Sequence, residues 1–89
     1  MLEKQVEIIN KLGLHARAAT KLANTAKHFA ARVNILHENK DIDGKSIMSL
    51  MLLAASMGTT ITLRVDGSDE QEAMDALVAL IANRFEEDE

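Results

Sequence analysis

The hydrophobic period of this chain switches repeatedly between two and about 3.6 residues, and that switching constrains the fold most. Val6 and Ile8 alternate with Gln5 and Glu7, the pattern of a half-buried strand. From Ala16 the period lengthens: Ala16, Ala19, Leu22, Ala23, Ala26 and Ala30 fall on one helical face. Lys27 and His28 stand in its last turn, where positive charge suits the carbonyl end of a helix. Val33 and Ile35 then alternate with Asn34 and Leu36 as a second strand, and His37 to Gly44 predicts a turn with a brief strand around Ile42. Ser46 opens an apolar block, Ile47 to Met57, which reads as a helix with Gly58 just past its end. Ile61, Leu63 and Val65 alternate with Thr60, Thr62 and Arg64 in a clear strand. Asp66-Gly67 predicts a turn, and Ser68 with Gln71 a capping box. Ala73, Leu77, Leu80 and Ile81 mark the face of a final helix, and Glu86 to Glu89 reads as a solvated acidic tail.

The resulting order is β-α-β-β-α-β-α. Each strand has one apolar face, so a single helical layer should cover one face of an antiparallel sheet: an α+β two-layer sandwich. The 89 residues suffice for one domain, residues 1–89. Cysteine is absent, which removes disulfides, thiolate nucleophiles and cysteine zinc sites, and fits a reducing, cytoplasmic setting. A net charge of −4 with scattered basic residues argues against nucleic acid as a partner. Apolar runs such as Leu50 to Ala55 are too short to insert in a membrane, and Met1 to Glu7 lacks the apolar region of a signal peptide.

Two segments carry chemistry. In Gly13-Leu14-His15-Ala16-Arg17-Ala18-Ala19 a histidine stands where a loop becomes a helix. A helix start has unpaired N–H groups and partial positive charge, so it favours an anion over imidazolium and keeps the ring nucleophilic. A phosphoryl group on His15 would meet the N–H groups of Ala16 and Arg17 and the Arg17 guanidinium. Gly13 allows a close backbone turn in front of the ring. Taken alone, this motif also fits a plain surface or capping histidine. His28 and His37 read as a helix-end and a strand or turn residue, and the spacing of the three histidines fits no helical metal-ligand pair. No metal and no bound cofactor are required. In Lys45-Ser46-Ile47-Met48-Ser49-Leu50-Met51, Ser46 is a natural N-cap whose hydroxyl a kinase could also modify. Ile47, Met48, Met51 and Leu52 crowd one short helix. Most of them are expected in the core, with some exposed as an adaptable partner-binding patch.

Together, Gly13-Leu14-His15-Ala16-Arg17 and Lys45-Ser46-Ile47-Met48 resemble the two signatures of the HPr family, the histidine-containing phosphocarriers of the bacterial phosphoenolpyruvate-dependent phosphotransferase system. The resemblance spans essentially the whole chain. It implies an HPr-like open-faced β-sandwich, a four-stranded antiparallel sheet covered on one face by three helices. It implies that His15 accepts a phosphoryl group on Nδ1 from phosphoenolpyruvate-charged enzyme I and passes it to a histidine of an enzyme IIA, with Arg17 contacting phosphate. Ser46 would match a regulatory serine modified by an HPr kinase/phosphorylase. Leu14, Thr20, Ile47, Met48 and Met51 would match the partner-docking face. Such a chain is a stoichiometric phosphoryl-transfer intermediate and not a self-sufficient turnover enzyme, and a carrier that visits several partners is most simply a monomer.

Ala18 departs from the family pattern, in which proline often stands there. Alanine forms helix well, but its presence could alter how the first turn presents His15. Asn10 to Ala19 and the acidic ending Asn83 to Glu89 look like NPr, the nitrogen-related branch, whereas the Ser46 motif points partly toward the sugar-uptake branch. The rival from another class is a regulatory docking module that binds partners through Leu14, Ile47, Met48 and Met51 while unphosphorylated.

Overall fold

Alternating strands need partners on both edges, and the most apolar of them takes the middle of the sheet. In the computed structural model, which describes residues 1–88, strands β1 (Leu2–Glu7), β2 (Arg32–His37), β3 (Lys40–Asp43) and β4 (Thr60–Asp66) form one antiparallel sheet in the order β1-β4-β2-β3. Glu89 lies outside the described residues. On β4, Ile61, Leu63 and Val65 are all buried. The register sets Val33 opposite Val65 and Ile35 opposite Leu63, so one continuous apolar surface crosses the two central strands. The opposite face is polar: the Arg64 guanidinium reaches Glu3 at 2.6 Å, and Asn34 donates to Asp41 at 2.9 Å.

Helices α1 (Ala16–Lys27), α2 (Ile47–Leu53) and α3 (Glu70–Ala82) cover the apolar face. Helix α1 buries Ala18, Ala19, Leu22, Ala23 and Ala26. Ala16 and Ala30, expected inside, are exposed: the first lies on the outer side of the opening turn, and the second lies past the helix end. Ala18 fills the inner position, and the helix begins at Ala16 without a proline.

The apolar block after Ser46 is a shorter helix than its sequence suggests. It ends at Leu53, where Ala54 turns left-handed (φ 54°) and its N–H donates to the Met51 carbonyl. The reason is tertiary: the Ala55 carbonyl leaves the helix to accept from Leu14 N–H at 2.8 Å. Gly58 stands just before β4 instead, its N–H bonded to the Ile8 carbonyl at 2.7 Å. The expected Ser68–Gln71 capping box does not form. Glu70 accepts from Gly67 N–H at 3.1 Å, and Gln71 turns to Asp75.

The acidic tail also departs from its sequence reading. Phe85 is fully buried, and Arg84, Phe85 and Glu86 all take left-handed backbone (φ 54°, 55° and 66°). Phe85 pins the chain against the core, and Glu87 is drawn in behind it, while Glu86 and Asp88 stay exposed as the sequence reading expects.

Asp69 ties the start of α3 to the loop after α1. Its carboxylate accepts from Ala30 N–H and Ala31 N–H, both at 2.8 Å, across the gap between α1 and α3. The backbone N–H of Ala30 is the main cause that lowers the Asp69 carboxyl below its ordinary range, with Ala31 adding to it and desolvation opposing. A carboxyl lowered in the folded state stabilises above its unfolded pKa and loses that contribution as pH falls through its folded value. Asp69→Asn should therefore lower the urea midpoint at neutral pH, and the gap from wild type should shrink in acid, below the ordinary aspartate value of about 3.9.

Candidate functional site

The site begins with a backbone constraint. Gly13 has φ 67°, and a Cβ there would stand 2.5 Å from the Ala55 carbonyl oxygen and 2.8 Å from the Ser56 Cα. Only glycine fits both the angle and the space. The close approach lets Leu14 N–H bond Ala55, and it seats the loop before α1 against the loop after α2. Leu14 is buried, only 4% exposed, so its side chain anchors this loop in the core. Leu14, expected on a docking face, keeps only 4% of its surface exposed here.

Anchored this way, His15 becomes the N-cap of α1, with extended backbone (φ −79°, ψ −179°). Its Nδ1 accepts from Arg17 N–H at 3.3 Å, and the side chain keeps 26% of its surface exposed. A nitrogen that accepts a hydrogen bond carries its lone pair outward and no proton. The bond is long for N–H···N, so it holds the ring loosely and can be exchanged for another acceptor. No acidic residue occupies the first turn of α1, so nothing there competes with an incoming anion for the positive end of the helix. Ala16 and Arg17 are both exposed, and Arg17 lines an open cleft with Lys11, Leu12 and the tail residues Glu86, Glu87 and Asp88. Thr20 is half-buried and spends its hydroxyl on the Ala16 carbonyl at 2.8 Å, which stiffens the same turn.

Two residues outside the motifs complete the site. Glu87 brings Oε2 to 2.5 Å from His15 Nε2, and its Oε1 accepts from Asn10 Nδ2 at 3.0 Å. The Glu87 side chain is only 10% exposed, and Asn10 is fully buried. Burial acts to raise the Glu87 carboxyl. The hydrogen bonds from Asn10 and His15 and the nearby positive charge of Arg17 outweigh it, and the carboxyl sits below its ordinary range. Sequence patterns gave no signal for this contact, because it spans 72 residues and Glu87 belongs to an unpatterned acidic run.

Ser46 is the N-cap of α2, its Oγ accepting from Ser49 N–H at 3.2 Å. The α2 face is more open than expected. Leu50 and Leu53 supply the buried contacts, whereas Met48, Met51 and Leu52 are 73%, 46% and 73% exposed. Ile47 is half-buried beside them, and the four line a shallow apolar depression. Leu52, not among the expected docking residues, belongs to this patch. His28 caps the end of α1 and bonds the Asn24 carbonyl, and His37 closes β2 against the Thr60 carbonyl. No helix among the described residues is long and apolar enough to cross a membrane.

A small open-faced sandwich with an imidazole at an anion-receptive helix start defines a class: domains that take up and hand on a phosphoryl group. The comparisons agree. Residues 2–83 match the family model described as PTS HPr component phosphorylation site. The chain is 57% identical over 89 residues to the phosphocarrier protein HPr of Cupriavidus necator, covering all of both chains. It is 49% identical to the phosphocarrier protein NPr of Shewanella violacea, across 97% of this chain and 94% of that one. In three dimensions it resembles a crystal structure of HPr-C-His from Thermoanaerobacter tengcongensis, with TM-score 0.96, 43% identity and complete coverage of both chains. The chain belongs to the HPr family, the phosphocarriers of the phosphotransferase system.

The Gly13–Ala55 approach makes a direct prediction. Gly13→Ala should lose at least about 1–2 kcal/mol from its left-handed angle alone, and more from the backbone overlap. Urea unfolding measures the loss, and the backbone amide signals of Leu14 to Arg17 should shift with it.

Proposed function

We propose that His15 is the residue on which this chain carries its phosphoryl group, received from enzyme I and delivered to an enzyme IIA. The observation that carries this reading is the placement of Nδ1: unprotonated, partly exposed, and directed at the start of α1. The lone pair on Nδ1 attacks the phosphorus in line, and the bond from phosphorus to the donor breaks with its electron pair leaving on the donor. As the N–P bond forms, the Arg17 N–H is released from Nδ1 and turns to a phosphoryl oxygen. The Ala16 N–H and the Arg17 guanidinium serve the other oxygens. The return step reverses this, with His15 as the leaving group. Holding the anion this way asks for position and charge compensation, and it needs neither metal nor cofactor.

The exposed apolar face of α2 suits partners that come and go. Met48, Met51 and Leu52 lie in the open, Ile47 borders them, and Thr20 stiffens the neighbouring turn of α1. Methionine adapts its shape, so one patch can serve both enzyme I and an enzyme IIA. Ser46 stands at the edge of this patch as the site of regulatory phosphorylation by an HPr kinase/phosphorylase. The carrier acts as a cytoplasmic monomer. The two branches both find support: the NPr relative at 49% identity favours the nitrogen-related acceptor, and the HPr relative at 57% together with Ser46 favours the parent branch. A single carrier serving both kinds of acceptor accommodates both. The docking-module alternative uses the same α2 face but needs no transfer through His15.

Incubation with phosphoenolpyruvate and enzyme I, followed by intact-mass measurement, tests the reading. Wild type should gain one phosphoryl group that is lost in acid and kept in base, as an N–P bond requires. His15→Ala should gain none. An adduct that survives acid, or one on His15→Ala, contradicts the assignment, and a His15→Ala protein that retains full regulatory activity favours the docking module. Ser46→Asp should raise KM for the carrier in the enzyme I reaction by roughly fivefold, the effect of one unfavourable charge at an interface rim. Unchanged kinetics would remove Ser46 from the docking edge.

A further inference from the structure

A chain end bearing four acids in a row has every electrostatic reason to remain in water. Here it does not. Arg84, Phe85 and Glu86 adopt three consecutive left-handed conformations, each costing a non-glycine residue roughly 1–2 kcal/mol. The turn is held from two sides. Phe85 is fully buried, and Lys21 of α1 donates to the Phe85 carbonyl at 2.9 Å while its ammonium lies 3.5 Å from the Glu86 carboxylate. Strain of this kind persists where the surrounding structure enforces it and often marks a functional contact. The residue that the turn delivers is Glu87.

Glu87 meets two donors, Asn10 and His15, with the Arg17 charge nearby. Asn10 divides its amide hydrogens between the Gly13 carbonyl at 2.8 Å and Glu87 Oε1 at 3.0 Å. The Asn10 amide oxygen is buried without a hydrogen-bond partner among the described residues. The reverse amide orientation would set that oxygen against a carbonyl and a carboxylate, so the observed orientation is the one the chemistry allows. Asn10 thereby fixes Glu87 in place, and it does so from the same loop that Gly13 seats.

The two faces of the His15 ring edge now agree. A carboxylate only accepts, so Nε2 must donate to Glu87; Arg17 N–H only donates, so Nδ1 must accept. We infer that Glu87 is a positioning residue for phosphoryl transfer: it orients the His15 ring through Nε2–H and places a negative charge against the ring. This rests on His15 being the carrier residue. When the Nδ1 lone pair bonds to phosphorus and the donor departs with its own electron pair, the Nε2 proton stays where it is, and the ring acquires positive charge. Glu87, 2.5 Å from Nε2, compensates that charge from the side away from the phosphoryl group. The arrangement follows the logic by which an acid orients and steadies a reacting imidazole elsewhere.

The test compares wild type with Glu87→Ala and Glu87→Gln by two readouts. The first is nitrogen-15 and proton NMR of the unphosphorylated His15 ring. Wild type should show a proton on Nε2 that is protected from exchange and an unprotonated Nδ1. Glu87→Ala should lose the protection, and Glu87→Gln, with one oxygen for two donors, should fall between. The second is the kinetics of the enzyme I reaction. Glu87→Ala should lower kcat roughly tenfold with KM unchanged, much less than the loss seen for a fully buried orienting acid, because water reaches the His15 edge. An Nδ1–H ring in wild type, equal exchange in all three proteins, or a transfer rate that is unchanged or faster in Glu87→Ala overturns the inference. If wild type is never phosphorylated while the protected Nε2 proton is present, it is the carrier reading that fails, and the Glu87–His15 contact stands as structure alone.

Discussion

The hydrogen bond from Leu14 N–H to the Ala55 carbonyl, 2.8 Å long, is the contact on which the site depends. It joins the loop before α1 to the loop after α2, and it exists because Gly13 has no Cβ to hold the two backbones apart. From that one approach the rest follows. Leu14 drops into the core, His15 is left at the helix start, and α2 has to stop at Leu53 to free the Ala55 carbonyl. His15 and helix α2 thus flank the junction where the two loops pack. The sheet beneath supplies rigidity: Ile61, Leu63 and Val65 of β4 fix the platform on which α1 and α3 rest.

The electrostatics of the site divide between its two sides. Toward Nδ1 lie amide N–H groups at the start of α1, a surface made for an anion, while Arg17 lines the open cleft it shares with Glu87. Toward Nε2 lies the Glu87 carboxylate, steadied by Asn10. The imidazole stands between a region that favours negative charge and a group that supplies it. A ring placed so is ready to become positive as phosphorus arrives and to lose that charge as it leaves. Reversible transfer asks for such balance, since a site that held the phosphoryl group too firmly would never release it.

Much of this was legible in the chain. The period changes anticipated β1, β2, β4 and the helices among the described residues, because each buries one face against one layer, while β3 was expected only as a brief strand around Ile42. The two motifs gave His15 and Ser46 as helix caps, since capping is decided by a few adjacent residues. What escaped was tertiary in origin. The end of α2 is set by contact with the loop at Gly13, distant in sequence but adjacent in space, so Gly58 was read as its cap. The burial of Ala18 in place of Ala16 depends on which side of the first turn meets the core. Of Ile47, Met48, Met51 and Leu52, most were expected inside and some on a docking patch, because an apolar stripe does not say that only Leu50 and Leu53 are buried. Asn10 and Glu87 lie in stretches that look like the nitrogen-related branch, but nothing local pairs them: only the left-handed turn around Phe85 brings them together.

The central claim is that Nδ1 of His15 holds the phosphoryl group against the start of α1. Phosphorus-31 NMR of the protein charged by phosphoenolpyruvate and enzyme I, with the phosphorus correlated to the imidazole nitrogens, measures it directly. The account predicts one signal coupled to Nδ1 of His15, accompanied by shifts of the Ala16 and Arg17 amides. Coupling to Nε2, or to any other residue, with those two amides unmoved, would contradict it.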